Sequence, residues 1–215
     1  MTTLSLALAL SGLVCGQTAG HLQRAAALVG QGDDEGALPY LARYVADHPE
    51  HLTARAYLAE LFWRLKRPAD ARREFERFCA DAQDQPDPDP ARGQLLHGHS
   101  RLAEIAAAQE DGFGQHLNRG VGLWLLARRA AEVGADGSPP AEGVLCRAAG
   151  ELTLALRERP DSARANWYLY QVWTDLAQRQ PAERCLRAAG SAVSSDLTPA
   201  ERTALALTEA ARPGR

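Results

Sequence analysis

The chain has 215 residues, 46% of them apolar and 24% charged, with a formal net charge of −3. That length can bury a sizeable core in one domain or two small ones, and the ordinary charged share excludes bulk disorder. Its basic residues, 23 arginines and Lys66, alternate with Asp and Glu, and the isoelectric point is near 6.1; the one-sided basic excess of a nucleic-acid binder is missing.

In chain order, the first element is "LSLALALSGLVCG" (Leu4–Gly16), apolar on every side. It is too short to span a bilayer and has the length of a signal-peptide core, but residues 2–23 hold no Lys or Arg to form the basic flank. Residues 1–20 therefore read as an apolar N-terminal segment, either a signal peptide or a buried helix. A cytoplasmic location is expected, with export the alternative if the segment is a signal.

Residues 21–82 predict two helical hairpins. In "LTARAYLAELFWRLKRPADARREFERFCADA" (52–82), Leu58, Leu61, Phe62 and Leu65 recur at i, i+3, i+4 and i+7, the apolar stripe of an amphipathic helix. Arg67-Pro68 interrupts it, and Pro is tolerated in the first turn of a new helix. The new stripe is Ala71, Phe75, Phe78 and Ala82. A connection this brief predicts antiparallel packing. Shifted back by 34 positions, Ala25 lies under Ala59, Leu28 under Phe62, Ala37 under Ala71, Leu41 under Phe75 and Tyr44 under Phe78. "ALPYLARYVADHP" (37–49) and "ARREFERFCADAQ" (71–83) thus share sizes rather than letters. The small residue lets two helices approach, and the bulky residue one turn later fills the groove.

"QDQPDPDPA" (83–91) reads as a linker, since each Pro removes a donor and restricts its predecessor. Residues 92–212 predict further, degenerate hairpins. One turns at Asp111-Gly112, and "LWLLARRAAEVG" (123–134) reads as another first helix, separated from its partner by a loop at 134–142. Near the C-terminus Ala148, Leu152 and Ala155 are followed 34 residues later by Ala182, Leu186 and Ala189. Leu169-x3-Trp173 reads as first-helix core. Thr198-Pro199-Ala200-Glu201 is a capping box opening a capping helix over 198–212, with Leu205 and Leu207 expected to cover the last hairpin.

Ala-x3-bulky steps at a 34-residue period, the Leu58-Ala59-x2-Phe62 core and the closing Pro49 and Pro160 resemble the tetratricopeptide repeat. The resemblance covers roughly residues 18–194. It implies an all-α, right-handed helical-hairpin solenoid of about five hairpins plus a C-terminal capping helix. It also implies a concave groove, lined by the first helices, that takes peptides or protein segments. Transferred to this chain, the groove-facing positions are Glu60, Trp63, Arg64, Glu104, Trp124, Arg128, Arg164, Trp167 and Gln171. Three of the four tryptophans fall there, and Trp and Arg are enriched at binding hot spots. The family's clamp for C-terminal carboxylates uses Lys and Asn on these helices; Lys66 and Asn166 stand elsewhere, so that ligand is not expected.

Motifs for chemistry are missing. His97 and His99 stand about 200° apart on a helix and read as surface residues. The four cysteines, Cys15, Cys79, Cys146 and Cys185, have no zinc-ligand spacing, and the last three read as small core fillers. The glycines at 112, 114, 120 and 122 lack the Gly-Lys-Ser/Thr ending of a phosphate loop. Asp33-Asp34-Glu35 reads as helix capping. The expectation is a non-enzymatic scaffold without cofactor or metal, binding a protein or peptide segment, with neither nucleic acid nor a stable membrane span. The alternatives are an accessory subunit or fragment of an enzyme complex, or an exported cell-envelope scaffold. The sequence leaves the oligomeric state open.

Overall fold

The structure is a computed structural model that describes residues 18–83, 88–133, 142–192 and 196–211. The described residues form ten helices: α1 Thr18–Gly30, α2 Asp34–Asp47, α3 Leu52–Arg64, α4 Pro68–Gln83, α5 Pro88–Ala108, α6 Gly112–Val133, α7 Glu142–Glu158, α8 Ala163–Asp175, α9 Arg179–Ser191 and α10 Pro199–Ala210. They belong to two compact units, one ending at Phe78 and the other starting at Cys79. Of the predicted apolar segment 1–20, residues 1–17 lie outside the described residues and 18–20 open α1; most of the predicted loop, 134–141, also lies outside them.

One turn geometry recurs four times, and it explains why the hairpins close where they do. Gly32, Lys66, Glu110 and Ala177 have φ of 79°, 58°, 57° and 55°. In each turn the next amide donates five residues back: Asp33 to Leu28, Arg67 to Phe62, Asp111 to Ala106 and Gln178 to Trp173. The left-handed residue donates three back, to Val29, Trp63, Ala107 and Thr174 respectively. These bonds satisfy the last carbonyls of α1, α3, α5 and α8 and reverse the chain. Asp33 and Asp111 then cap the following helix, accepting from Gly36 N at 2.8 Å and Gly114 N at 2.9 Å. Only one of the four turns uses glycine, so this signal is faint in the letters.

In the first unit the predicted stripes are the core. Ala37, Leu41 and Tyr44 of α2, Leu58, Leu61 and Phe62 of α3, and Ala71, Phe75 and Phe78 of α4 are all buried. Arg55 and Glu74 are buried beside them as an ion pair at 3.3 Å, with Arg55 also donating to Pro49 O at 3.0 Å.

In the second unit α5, α6 and α7 pack side by side, α7 packs on α8, α8 pairs with α9, and α10 lies against α8 and α9. Ala148, Leu152 and Ala155 of α7 and Ala182, Leu186 and Ala189 of α9 are buried at the predicted spacing. Residues 123–133 are not a separate first helix but the second half of a continuous α6, so the third and fourth hairpins share it. The glycines at 112, 114, 120 and 122 all belong to that helix. Gly120 is there because α7 comes close: a Cβ would stand 2.6 Å from Leu152 Cγ.

Five other expectations change. Residues 88–91 of the supposed linker are already helix, consistent with Pro at a first helical position. His99 is fully buried rather than on the surface. Cys146 is exposed, because it follows the buried Leu145 and so turns outward. Trp173 is half-buried while its neighbour Val172 takes the core position. Leu205 is buried but Leu207, about 200° further round α10, is 67% exposed. No described helix is long and apolar enough to cross a membrane.

Candidate partner-binding site

In the first unit, α3 is capped at its start by His51 Nδ1, which accepts from Ala54 N at 3.2 Å. Leu58, Leu61 and Phe62 turn inward. Glu60, Trp63 and Arg64 follow at i, i+3 and i+4 and so share another face. Trp63 is half-buried, and its indole N–H has no hydrogen-bond partner among the described residues. Glu60 is half-buried as well. The Arg64 guanidinium is half exposed and pairs with Asp34, in the first turn of α2. An exposed pair of this kind holds about 0–1 kcal/mol and leaves the guanidinium exchangeable.

In the second unit the predicted residues part into three environments. Trp124 and Arg128, one turn apart on α6, both engage Asp175 at the end of α8: the indole N–H donates at 2.8 Å and the guanidinium at 3.4 Å. Arg128 lies over the Trp124 ring at 5.5 Å, and Tyr168 meets that ring edge-on at 5.5 Å. This tryptophan is locked by its own protein. Arg128 remains partly exposed beside it.

Arg164 and Trp167 belong to the interior, contrary to the groove assignment. Trp167 is 4% exposed and stacks on Tyr170 at 5.4 Å; the wide apolar indole is drawn into the packing between helices. Arg164 donates to Glu201 Oε1 at 2.9 Å, as do Tyr168 OH at 2.6 Å and Gln83 Nε2 at 3.4 Å. The other Glu201 oxygen accepts from Thr198 N at 2.8 Å, closing the capping box of α10. One carboxylate thus caps its own helix and neutralises a guanidinium on α8. Burial pulls Arg164 down most strongly of any one influence, but the Glu201 charge and smaller contributions from Tyr168, Cys79 and the hydrogen bond to Glu201 together hold the guanidinium above its ordinary pKa. Burial and then Glu201 push the Tyr168 hydroxyl well up, so it stays a neutral donor. Gln171 is half-buried on α8.

Glu104 is exposed on α5, paired with Arg101, and lines an open cleft between α5, α6 and α7. The structure therefore brings Glu60, Trp63 and Arg64 onto one helix face and Trp124 and Arg128 onto another. Glu104, Trp167 and Gln171 join neither group through any contact it describes, and Arg164 reaches the second only through Tyr168, over whose ring it lies at 6.0 Å.

Sequence reasoning missed His99, Tyr168 and Glu201. His99 Nδ1 lies 2.8 Å from Asn118 Oδ1, and Asn118 Nδ2 donates to Gly114 O at 2.8 Å. That second bond fixes the amide, so the imidazole proton sits on Nδ1. Burial, and then the nearby Arg164 charge, lower the His99 pKa to about 4, against the opposing pull of Asn118 and Glu201. Only the capping box signalled Glu201 in the sequence, and a capping box says nothing of a second, tertiary partner. Among the described residues, no three His, Cys, Asp or Glu side chains converge as metal ligands.

Residues 28–95 match the family model described as "Tetratricopeptide repeat". No curated protein matches. Solved structures similar to this chain include MamA (13% identity, 80% of this chain and 89% of that one, TM-score 0.42). Another is TTC0263, a thermophilic tetratricopeptide-repeat protein in Thermus thermophilus (17%, 90% and 99%, TM-score 0.40). A third is YrrB, described as a tetratricopeptide-repeat protein with an unusual peptide-binding site (15%, 88% and 90%, TM-score 0.37). The match spans α2, α3 and α4, and the same turn closes α1/α2 and α3/α4 34 positions apart: residues 28–95 carry the tetratricopeptide repeat, within a chain whose described residues fold as all-α helical hairpins.

Proposed function

We propose that the chain is a non-enzymatic scaffold that binds a partner polypeptide on the Glu60–Trp63–Arg64 face of α3. The observation that carries this reading is Trp63, a large aromatic partly open to solvent, with an unused indole donor, inside the segment that matches the repeat family. Covering such a side chain yields both apolar burial and one hydrogen bond, the combination found at interface hot spots. Arg64 adds a guanidinium held by an exposed pair that a partner carboxylate can replace. Trp124 and Arg128 offer a second, more rigid surface, since Asp175 already holds both.

The test is affinity capture from the native cell extract with wild-type protein and Trp63→Ala as parallel baits. Proteins retained by the wild type and lost with Trp63→Ala are expected. Identical retention by both baits would remove α3 from the binding surface.

A further inference from the structure

The cleft between α5, α6 and α7 has a volume of about 610 Å³. It lies on another side of α6 from Trp124: Gly122 and Leu126, which line it, stand two residues to either side and so about 200° round the helix. Its apolar lining includes Leu96, Leu123 and Leu126. Leu126 is 43% exposed, one of two large apolar side chains left that open among the described residues.

The polar lining is nearly all committed. Ser100 Oγ donates to Leu96 O at 2.8 Å, and Asn118 is used on both sides by His99 and Gly114. Glu104 is held by Arg101 at 2.6 Å, and Glu151 lies 2.8 Å from His116 Nδ1. What remains are the guanidiniums of Arg119 on α6 and Arg147 on α7. Both are exposed, and neither has an ion-pair or hydrogen-bond partner among the described residues. An open trough with apolar walls and two uncommitted cations complements a ligand carrying carboxylates between apolar side chains.

We infer that this cleft is a docking surface for an acidic, amphipathic peptide segment of a partner protein, its carboxylates on Arg119 and Arg147 and its apolar side chains against Leu123 and Leu126. Arg and carboxylate pair bidentately through two charge-assisted hydrogen bonds, which fixes the register of the segment. The surface is separate from the α3 face and does not rest on it.

The experiment is selection of a displayed random-peptide library, about a dozen residues long, on the full chain, followed by anisotropy titration of one labelled selected peptide. The selected peptides are expected to be net acidic with at least two Leu, Ile or Phe. Arg119→Glu/Arg147→Glu is expected to weaken the peptide by about tenfold or more, as loss of one such pair would. Leu126→Asp is expected to weaken it too, and Trp63→Ala to leave it unchanged. All these positions are at least partly exposed, and circular dichroism verifies that each variant folds. Neutral or basic selected peptides, no enrichment, or affinity indifferent to the double charge reversal would overturn the inference. So would self-association of the chain that the same reversal abolishes, since a second copy would then be the occupant.

Discussion

Replacing Glu201 by Gln keeps the shape of the side chain and removes its charge. Glu201 is 4% exposed and Arg164 17%, so the guanidinium would keep its place with no counterion. Removing one member of a buried ion pair costs about 3–5 kcal/mol. The residual exposure of Arg164 and the amide oxygen left to accept its hydrogen bond place the expected loss at the lower end, about 3 kcal/mol. For a unit of this size that is a drop of roughly 10 °C in Tm. Thermal unfolding by far-UV circular dichroism measures it. A double-mutant cycle isolates the pair: Arg164→Met alone strands the carboxylate, while Glu201→Gln/Arg164→Met strands neither charge. The double variant is expected to lose less than the two single losses added together, by about 1–3 kcal/mol. Strict additivity, or Glu201→Gln melting with the wild type, would refute the reading of Glu201 as the counterion that ties α10 to α8.

Phe75→Ala empties a fully buried position and is expected to cost about 3–5 kcal/mol in urea unfolding; no change in midpoint would contradict the register of α4. His99 is neutral in the folded protein down to about pH 4, whereas an unfolded histidine takes its proton near 6.5. Its contribution is therefore complete above pH 6.5 and lost as pH falls toward 4, by roughly 3 kcal/mol in all. Urea midpoints should decline over that window for the wild type and less for His99→Phe. Lys66→Gly relieves a left-handed residue and should stabilise by about 1 kcal/mol, while Gly120→Ala should destabilise by about 1–3 kcal/mol through the clash with Leu152. Calorimetry of both variants tests these opposite signs.

What the sequence made legible was whatever repeats. The Ala-x3-bulky steps at Ala37–Leu41, Ala71–Phe75 and Ala182–Leu186 place core residues because a helix face is a local, periodic property. The hairpin turns were harder to see, since Lys66, Glu110 and Ala177 occupy a conformation that normally announces itself with glycine. α6 was divided wrongly because the apolar pattern at 123–134 reads equally well as the start of a helix or as the continuation of one. The site assignments suffered most. Trp167 and Arg164 have the residue types of an interface, but whether they meet solvent depends on α10, whose Glu201 reaches α8 from more than thirty residues away in the chain. His99 is legible only through Asn118, one helix later.

The most direct test of the central claim is hydrogen–deuterium exchange of the chain alone and in complex with a partner captured through the wild-type bait. Added protection is predicted in α3, in peptides covering Glu60–Arg64, with the fully buried core segments of α7 unchanged. Protection that leaves α3 untouched would contradict the assignment of this face as the binding surface.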